Sequence, residues 1–255
     1  MAEPLPAELN ASADLGALVP RADLPVPASL SARPAAAAED AWLTLLKSAR
    51  RCQGGRLAYF AVFKRCLDIV VGGLALVLIW PLLLLTALVI RLTSRGPALF
   101  RQSRIGRGGE PFVVYKFRTM TWEPHQELRL FMGADGRLRH KVNGDPRVTR
   151  VGKVLRRTSI DEWPQFVNVV RGNMSLVGPR PELPQIVMRY EPWQHQRHLV
   201  RPGMTGWWQV QGRGDLPMHE HTDLDLYYVK HLSFRLDMRI AARTVRVVLR
   251  GFGAF

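Results

Sequence analysis

Cysteine is nearly absent: Cys52 and Cys66 are the only two in 255 residues. Two thiols build neither a disulfide framework nor a cysteine metal site, so a reduced, cytoplasm-facing protein with inert thiols is expected. Acidic residues are also scarce, 21 Asp and Glu against 36 Lys and Arg. The scarcity is uneven. Residues 1–40 hold six acids and two arginines, whereas the rest holds 15 acids and 34 bases, a net +19. A surface this basic points to a polyanion or to several phosphates: nucleic acid, anionic lipid headgroups or a diphosphate substrate. No helix-turn-helix, zinc-finger or RNP signature is present, so nucleic acid is not the expected partner. Nor is there an internal repeat or an HExxH metal motif.

Residues 1–40 are rich in Ala and Pro, have no aromatic residue and show no apolar period. Such a stretch buries too little surface to offset its ordering entropy, so residues 1–60 are expected to be a disordered or flexible tail. The basic start and apolar core of a signal peptide are missing. Trp42, Leu43, Leu45 and Leu46, followed by Lys47, Arg50, Arg51 and Arg56, fit a short interfacial helix or a linker.

What the chain has is one long apolar run. Residues 69–90, IVVGGLALVLIWPLLLLTALVI, carry no charge. As a straight helix they span about 33 Å, long enough to cross a bilayer. Pro81 stands near the middle and should kink the helix. Both flanks are basic, Lys64 and Arg65 before, Arg91 and Arg95 after, although a spanning helix usually concentrates basic residues on one side. A kinked spanning helix and a hairpin that enters and leaves one leaflet both fit these residues.

Residues 96–255 are expected to form a compact α/β or α+β domain. Phe112 to Phe117 is a run of strand formers after the turn Gly106 to Gly109. Residues 122–140 suggest a variable loop. Residues 237–250, DMRIAARTVRVVLR, suggest an amphipathic helix on an anionic membrane, or a basic helix packed on the domain.

Ser159-Ile160-Asp161-Glu162 matches a capping box, with Ser159 as N-cap and Glu162 at N3 of a helix running to Val170. Asp161 would then occupy a first turn, where free N–H groups favour both a carboxylate and a phosphate. Asp and Glu also stand in first turns for stability alone. Around the pair lie cations in breaker-rich segments: Lys116 and Arg118 in YKFRTM, Arg147 in DPRVTR, Arg156 and Arg157, Arg180 in GPRP and Arg213 in QGRG. Guanidinium forks beside rigid turns suit phosphate oxygens. A hard divalent cation, Mg²⁺, is expected to join them on carboxylate and phosphate oxygens. His219-Glu220-His221 with Asp223 and Asp225 has no defined metal spacing and is expected to be a polar loop. Trp207-Trp208 is expected in the core or at an interface rather than stacked on a base.

Five stretches carry a resemblance: KRCLDIVVGG, GPALFRQSRIGRGGEPFVVYKFRTM, DPRVTRVGKVLRRTSIDEWPQFVNVVRGNMSLVGPRPELP, RPGMTGWWQVQGRG and DLDLYYVKHLSFRLDMRIAARTVRVVLRGFGA. Through them the chain resembles the monotopic phosphoglycosyl transferases, also called bacterial sugar transferases, from Lys64 to Ala254. The resemblance implies a small α/β (α+β) cytoplasmic catalytic domain at 96–255. It also implies a re-entrant membrane hairpin at 61–95 broken at Pro81, interfacial amphipathic helices, and a place on the cytoplasmic face of the bacterial inner membrane. It implies that Asp161 is the nucleophile on the β-phosphorus of a UDP-sugar, releasing UMP, and that the aspartyl phosphosugar passes to undecaprenyl phosphate. Glu162 and Mg²⁺ would organise the diphosphate, with Asp161 and Glu162 as metal ligands. Lys116, Arg118, Arg156, Arg180 and Arg213 would bind substrate phosphate and nucleotide. Membrane lipids and a second copy of the chain are further candidate partners. Residues after Arg213 resemble hexose-specific members, which favours glucose or galactose. Asp237 falls at a characteristic acidic position without a role. Two departures are Trp163, where many relatives carry Leu, and Trp80 before Pro81, where some carry Ser.

Overall fold

The computed structural model describes residues 62–122, 131–132, 138–139, 145–212 and 221–250. The expected tail at 1–60, Arg213, and His219 and Glu220 lie outside them. The apolar run forms one helix, α1 (Lys64–Thr93), long and apolar enough to cross a membrane, with Pro81 inside it. Lys64, Asp68 and Gly72 are buried at four-residue intervals, and Thr86 and Ile90 repeat that interval near the other end. Such positions share one helical stripe. Between these anchors Val77, Leu78, Trp80 and Leu84 are exposed.

Both ends of α1 are tied to the same body. At the start, Lys64 Nζ lies 2.6 Å from Asp237 Oδ2, and Asp68 Oδ1 accepts from Ser175 Oγ at 3.0 Å and Leu176 N at 2.9 Å. Arg65 donates to the carbonyls of Val169 and Val170 at 2.6 and 2.7 Å. At the far end, Ile90 packs with Phe117 and Leu155. Beyond it, the Arg118 guanidinium donates to the carbonyls of Ser94 and Arg95 and to Ser94 Oγ.

Strands β1 (Leu99–Ile105) and β2 (Pro111–Phe117) form an antiparallel hairpin, Leu99 opposite Phe117 and Ile105 opposite Pro111. The expected strand at 112–117 is therefore present; its partner β1 was not anticipated. Within the expected variable loop, β3 (Phe131–Met132) and β4 (Leu138–Arg139) pair antiparallel. Helix α2 (Arg150–Thr158) is capped by Thr149, whose hydroxyl accepts from Gly152 N at 2.9 Å. A 3₁₀ turn, Ile160–Gln165, then runs into α3 (Phe166–Arg171).

Next come β5 (Ser175–Val177), the short helix α4 (Pro184–Val187), a 3₁₀ segment at Pro192–Leu199 and β6 (Gly203–Thr205), which pairs parallel with β5. The close β5–β6 approach needs glycine. A Cβ on Gly203 would stand 2.1 Å from Gly178 N, and one on Gly206 2.2 Å from Gly178 O. The chain closes with α5 (Trp207–Gly212), α6 (Thr222–Lys230) and α7 (Phe234–Arg250).

The largest buried cluster joins Val177, Val200, Trp207, Tyr228, Val229, Leu232, Leu236 and Ile240. Trp207 is thus a core residue, with Arg243 stacked 5.1 Å over its ring. Helix α7 packs through Leu236 and Ile240 and leaves Phe234, Met238 and Val245 exposed. Asp237 now has a structural part: it meets Lys64 of α1 and accepts from Tyr228 Oη at 2.8 Å.

Candidate active site

The capping box expected at Ser159 does not form. Ser159 adopts the left-handed conformation, φ 58°, and ends α2, its N–H bound to Arg156 O. Its side chain makes no capping bond to the following turn, which is 3₁₀ and contains Pro164. The acidic pair therefore sits on a short 3₁₀ turn rather than at the start of a capped α-helix. Consecutive side chains on a 3₁₀ turn diverge by about 120°, so Asp161 and Glu162 face different surroundings.

Glu162 faces cations. Its Oε1 accepts from Lys116 Nζ at 2.9 Å and from Arg180 Nη2, and its Oε2 accepts from Arg180 Nη1 at 3.2 Å. Side-chain exposures of 16–21% show that all three groups are partly withdrawn from water. Burial pushes the Glu162 carboxyl up, but Arg180 and Lys116 outweigh it and hold it well below the usual carboxylate range. Burial lowers the Lys116 ammonium against the pull of Glu162, whereas for Arg180 the same carboxylate overcomes burial and raises it. Asp161 lies within electrostatic reach of Lys116, Arg156 and Arg180.

Asn168 fixes the turn against β2. Its Nδ2 donates to Val113 O at 2.7 Å and its Oδ1 accepts from Tyr115 N at 3.2 Å. A side-chain amide thereby completes the strand edge and sets Glu162 opposite Lys116. On the other flank, Arg156 Nε donates to Thr119 Oγ1 at 2.9 Å, and Arg147 grips Asp145 with a fork at 2.6 to 3.2 Å.

The structure thus brings together Asp161, Glu162, Lys116 and Arg180, with Arg156 beside them. Arg118 goes elsewhere: it is buried, and its guanidinium caps the exit of α1. Arg104, which the sequence did not single out, joins the cluster. Burial lowers it to about 10, and its charge is felt by Lys116. Arg197 was missed too. It is 2% exposed and binds Asp225 at 2.6 Å and Arg180 O at 2.7 Å. No sequence signal separates either residue from the many solvated arginines.

Asp223 and Asp225 belong to α6 rather than to a polar loop, and burial raises Asp225 to about 6 in spite of Arg197. Among the described residues no group of three or more His, Cys, Asp or Glu converges on one point. Two carboxylates, Asp161 and Glu162, remain as hard oxygen donors.

The description "bacterial sugar transferase" belongs to the family model that matches residues 59–251. The chain belongs to the bacterial sugar transferase family. The match spans α1, the acidic pair and every cation of the cluster. A Caulobacter vibrioides protein named UDP-glucose:undecaprenyl-phosphate glucose-1-phosphate transferase is 44% identical over 212 residues, 79% of this chain and 76% of that one. An Aeromonas hydrophila UDP-N-acetylgalactosamine-undecaprenyl-phosphate N-acetylgalactosaminephosphotransferase is 43% identical over 202 residues, 76% of this chain but 45% of its own length. A Salmonella typhimurium undecaprenyl-phosphate galactose phosphotransferase is 39% identical over 75% of this chain and 41% of its own length. The chain therefore spans less than half of the latter two family members.

Proposed function

We propose that this protein transfers a sugar 1-phosphate from a UDP-sugar to undecaprenyl phosphate on the cytoplasmic face of the bacterial inner membrane. The observation that carries the reading is the Glu162 carboxylate held by Lys116 and Arg180 with Asp161 next to it. An ionised carboxylate beside a concentrated, partly dehydrated set of cations suits attack on a diphosphate. A carboxylate oxygen of Asp161 bonds to the β-phosphorus, and the bond from that phosphorus to the α-phosphate oxygen breaks. UMP leaves with the electron pair. An oxygen of the lipid phosphate then bonds to the same phosphorus, the acyl-phosphate bond breaks, and Asp161 is regenerated. Lys116, Arg180 and Arg156 hold phosphate oxygens through both transfers, with Arg213 as a further contact.

Charge balance favours a cation with the substrate. Lys116, Arg104, Arg180 and Arg156 are nearly matched by Asp161, Glu162 and Glu182, so a diphosphate adds charge that the cluster does not offset. Asp161 and the less occupied Oε2 of Glu162 fit Mg²⁺, which takes few protein oxygens and completes its shell from phosphate and water. When bound it would neutralise charge on the diphosphate.

The membrane reading rests on α1. α1 runs unbroken through the exposed Pro81, but bonds at both of its ends to the same folded body favour a helix that enters one leaflet and returns over one that crosses. Phe234, Met238 and Val245 of α7 would meet the same interface. Relatives named for glucose, galactose and N-acetylgalactosamine lie at 39–44% identity and do not separate these sugars; the resemblance of the residues after Arg213 to hexose-specific members favours glucose or galactose. UMP release from a panel of UDP-sugars with undecaprenyl phosphate tests the proposal. Release from UDP-glucose or UDP-galactose is expected; no release from any UDP-sugar overturns it.

A further inference from the structure

The phosphate grip of Arg180 depends on how firmly its backbone is held. It lies in Gly178-Pro179-Arg180-Pro181-Glu182, where two prolines supply no N–H and a ladder cannot form. The loop is held through its carbonyls. Pro179 O accepts from Gly203 N at 2.8 Å, and Glu182 O from Ile105 N at 3.0 Å. The two carbonyls between them are bound by buried guanidiniums: Arg180 O by Arg197 at 2.7 Å and Pro181 O by Arg104 at 3.3 Å. Arg104 is anchored in turn. Its Nη2 donates to Gln102 Oε1 at 2.7 Å, and its Nη1 stands 3.6 Å from Glu182 Oε1. The Arg104 and Glu182 side chains are 11% and 1% exposed.

We propose that Arg104 is a positioning residue for the phosphoryl transfer: from β1 it fixes the carbonyl after Arg180, so that the Arg180 fork stays aimed at the diphosphate when substrate draws it from Glu162. The inference rests on the proposed function for the identity of the phosphate, not for the clamp itself. A pair serving only to neutralise Glu182 would need no donor on Pro181 O. Arg104 has one, at the residue next to the phosphate ligand. Its charge also lies within reach of Lys116 and Glu162. Arg104 thus adds positive potential behind Arg180 while its own side chain stays with Glu182 and Gln102.

A double-mutant cycle with full-length protein in detergent micelles tests this, reading UMP release and, separately, UMP binding by calorimetry. R104Q is expected to lower kcat/KM for the UDP-sugar by about 10- to 100-fold, the usual range for a residue supporting a ligand-bearing side chain. In an R180Q background the same change should cost less than about threefold, because coupled residues are non-additive. R104K keeps the charge opposite Glu182 but loses the fork, so it should fall between wild type and R104Q. Should R104Q fail to fold, Q102A, which frees one arm of the guanidinium, should still lower kcat/KM by a few-fold and lose that effect in the R180Q background. Equal losses in both backgrounds, or wild-type kinetics in R104Q, overturn the inference. If no UDP-sugar is turned over but UMP binding shows the coupling, the clamp stands and the transfer reading falls.

Discussion

Removing Asp237 should loosen the attachment of the membrane helix more than any surface change. Lys64 and Asp237 are 4% and 1% exposed and meet at 2.6 Å. Asp237→Ala leaves the Lys64 ammonium buried beside an empty site. Breaking a buried pair on one side costs about 3–5 kcal/mol, because the remaining charge has lost its solvation and its partner. The Tyr228 hydroxyl suffers less, since Val177 O, 3.1 Å away, can still accept its hydrogen bond. For a unit of this size each kcal/mol corresponds to about 2–4 °C, so the midpoint should fall by about 6–20 °C. Lys64→Met should cost a similar amount. The double variant Lys64→Met/Asp237→Leu should recover most of the loss, because an apolar pair of like volume needs no desolvation. Thermal unfolding in one detergent, followed by circular dichroism, measures all four proteins. A shift below about 3 °C for Asp237→Ala, or a double variant no better than either single one, would refute the reasoning.

Other expectations concern the site and its supports. Asn168→Ala removes the two bonds that the buried Asn168 amide makes to Val113 O and Tyr115 N; at about 0.5–1.5 kcal/mol per bond it should lower the midpoint in a urea titration and reduce UMP release, as Glu162 loses its place opposite Lys116. Arg118→Met should weaken the seating of α1 and lower stability while leaving the KM for UDP-sugar within about twofold, because its guanidinium is spent on Ser94 and Arg95; a large rise in KM with unchanged stability would return it to the substrate site. The Arg147 side chain holds Asp145 at about 2 against its ordinary 3.8. The folded pKa is the lower one, so this contribution is complete above about 4 and fades as pH falls towards 2. Asp145→Asn should therefore destabilise the protein at pH 7, with the gap closing in acid; a gap independent of pH would contradict the pairing. Cysteine labelling at positions flanking 69–90 in sealed vesicles should place both flanks on one side, and labelling from opposite sides would make α1 a spanning helix.

Much of this architecture was written in local pattern. The uncharged run, the strand at 112–117 and the basic amphipathic segment at 237–250 each carry a period or a composition that burial imposes. The acidic pair stood out for the wrong local reason. Ser-x-x-Glu spacing is shared by a capped helix and by a left-handed break between two helical segments, and only the neighbouring Pro164 and the end of α2 distinguish them. Lys116 and Arg118 have the same sequence signal, yet one meets Glu162 from within β2 and the other, just past the strand's end, meets the end of α1, contacts that spacing alone does not fix. Arg104, Arg197 and Asn168 were illegible for a related reason. Each acts on a backbone distant in sequence, and nothing local marks a polar side chain whose partners the fold supplies.

The proposed role of Asp161 as nucleophile is tested most directly by the mass of the intact protein after mixing with UDP-sugar in the absence of lipid. The account predicts a gain of one phosphosugar, mapping to Asp161, released by undecaprenyl phosphate and absent from Asp161→Asn. Turnover with lipid present, but no adduct without it and retained activity in Asp161→Asn, would contradict it.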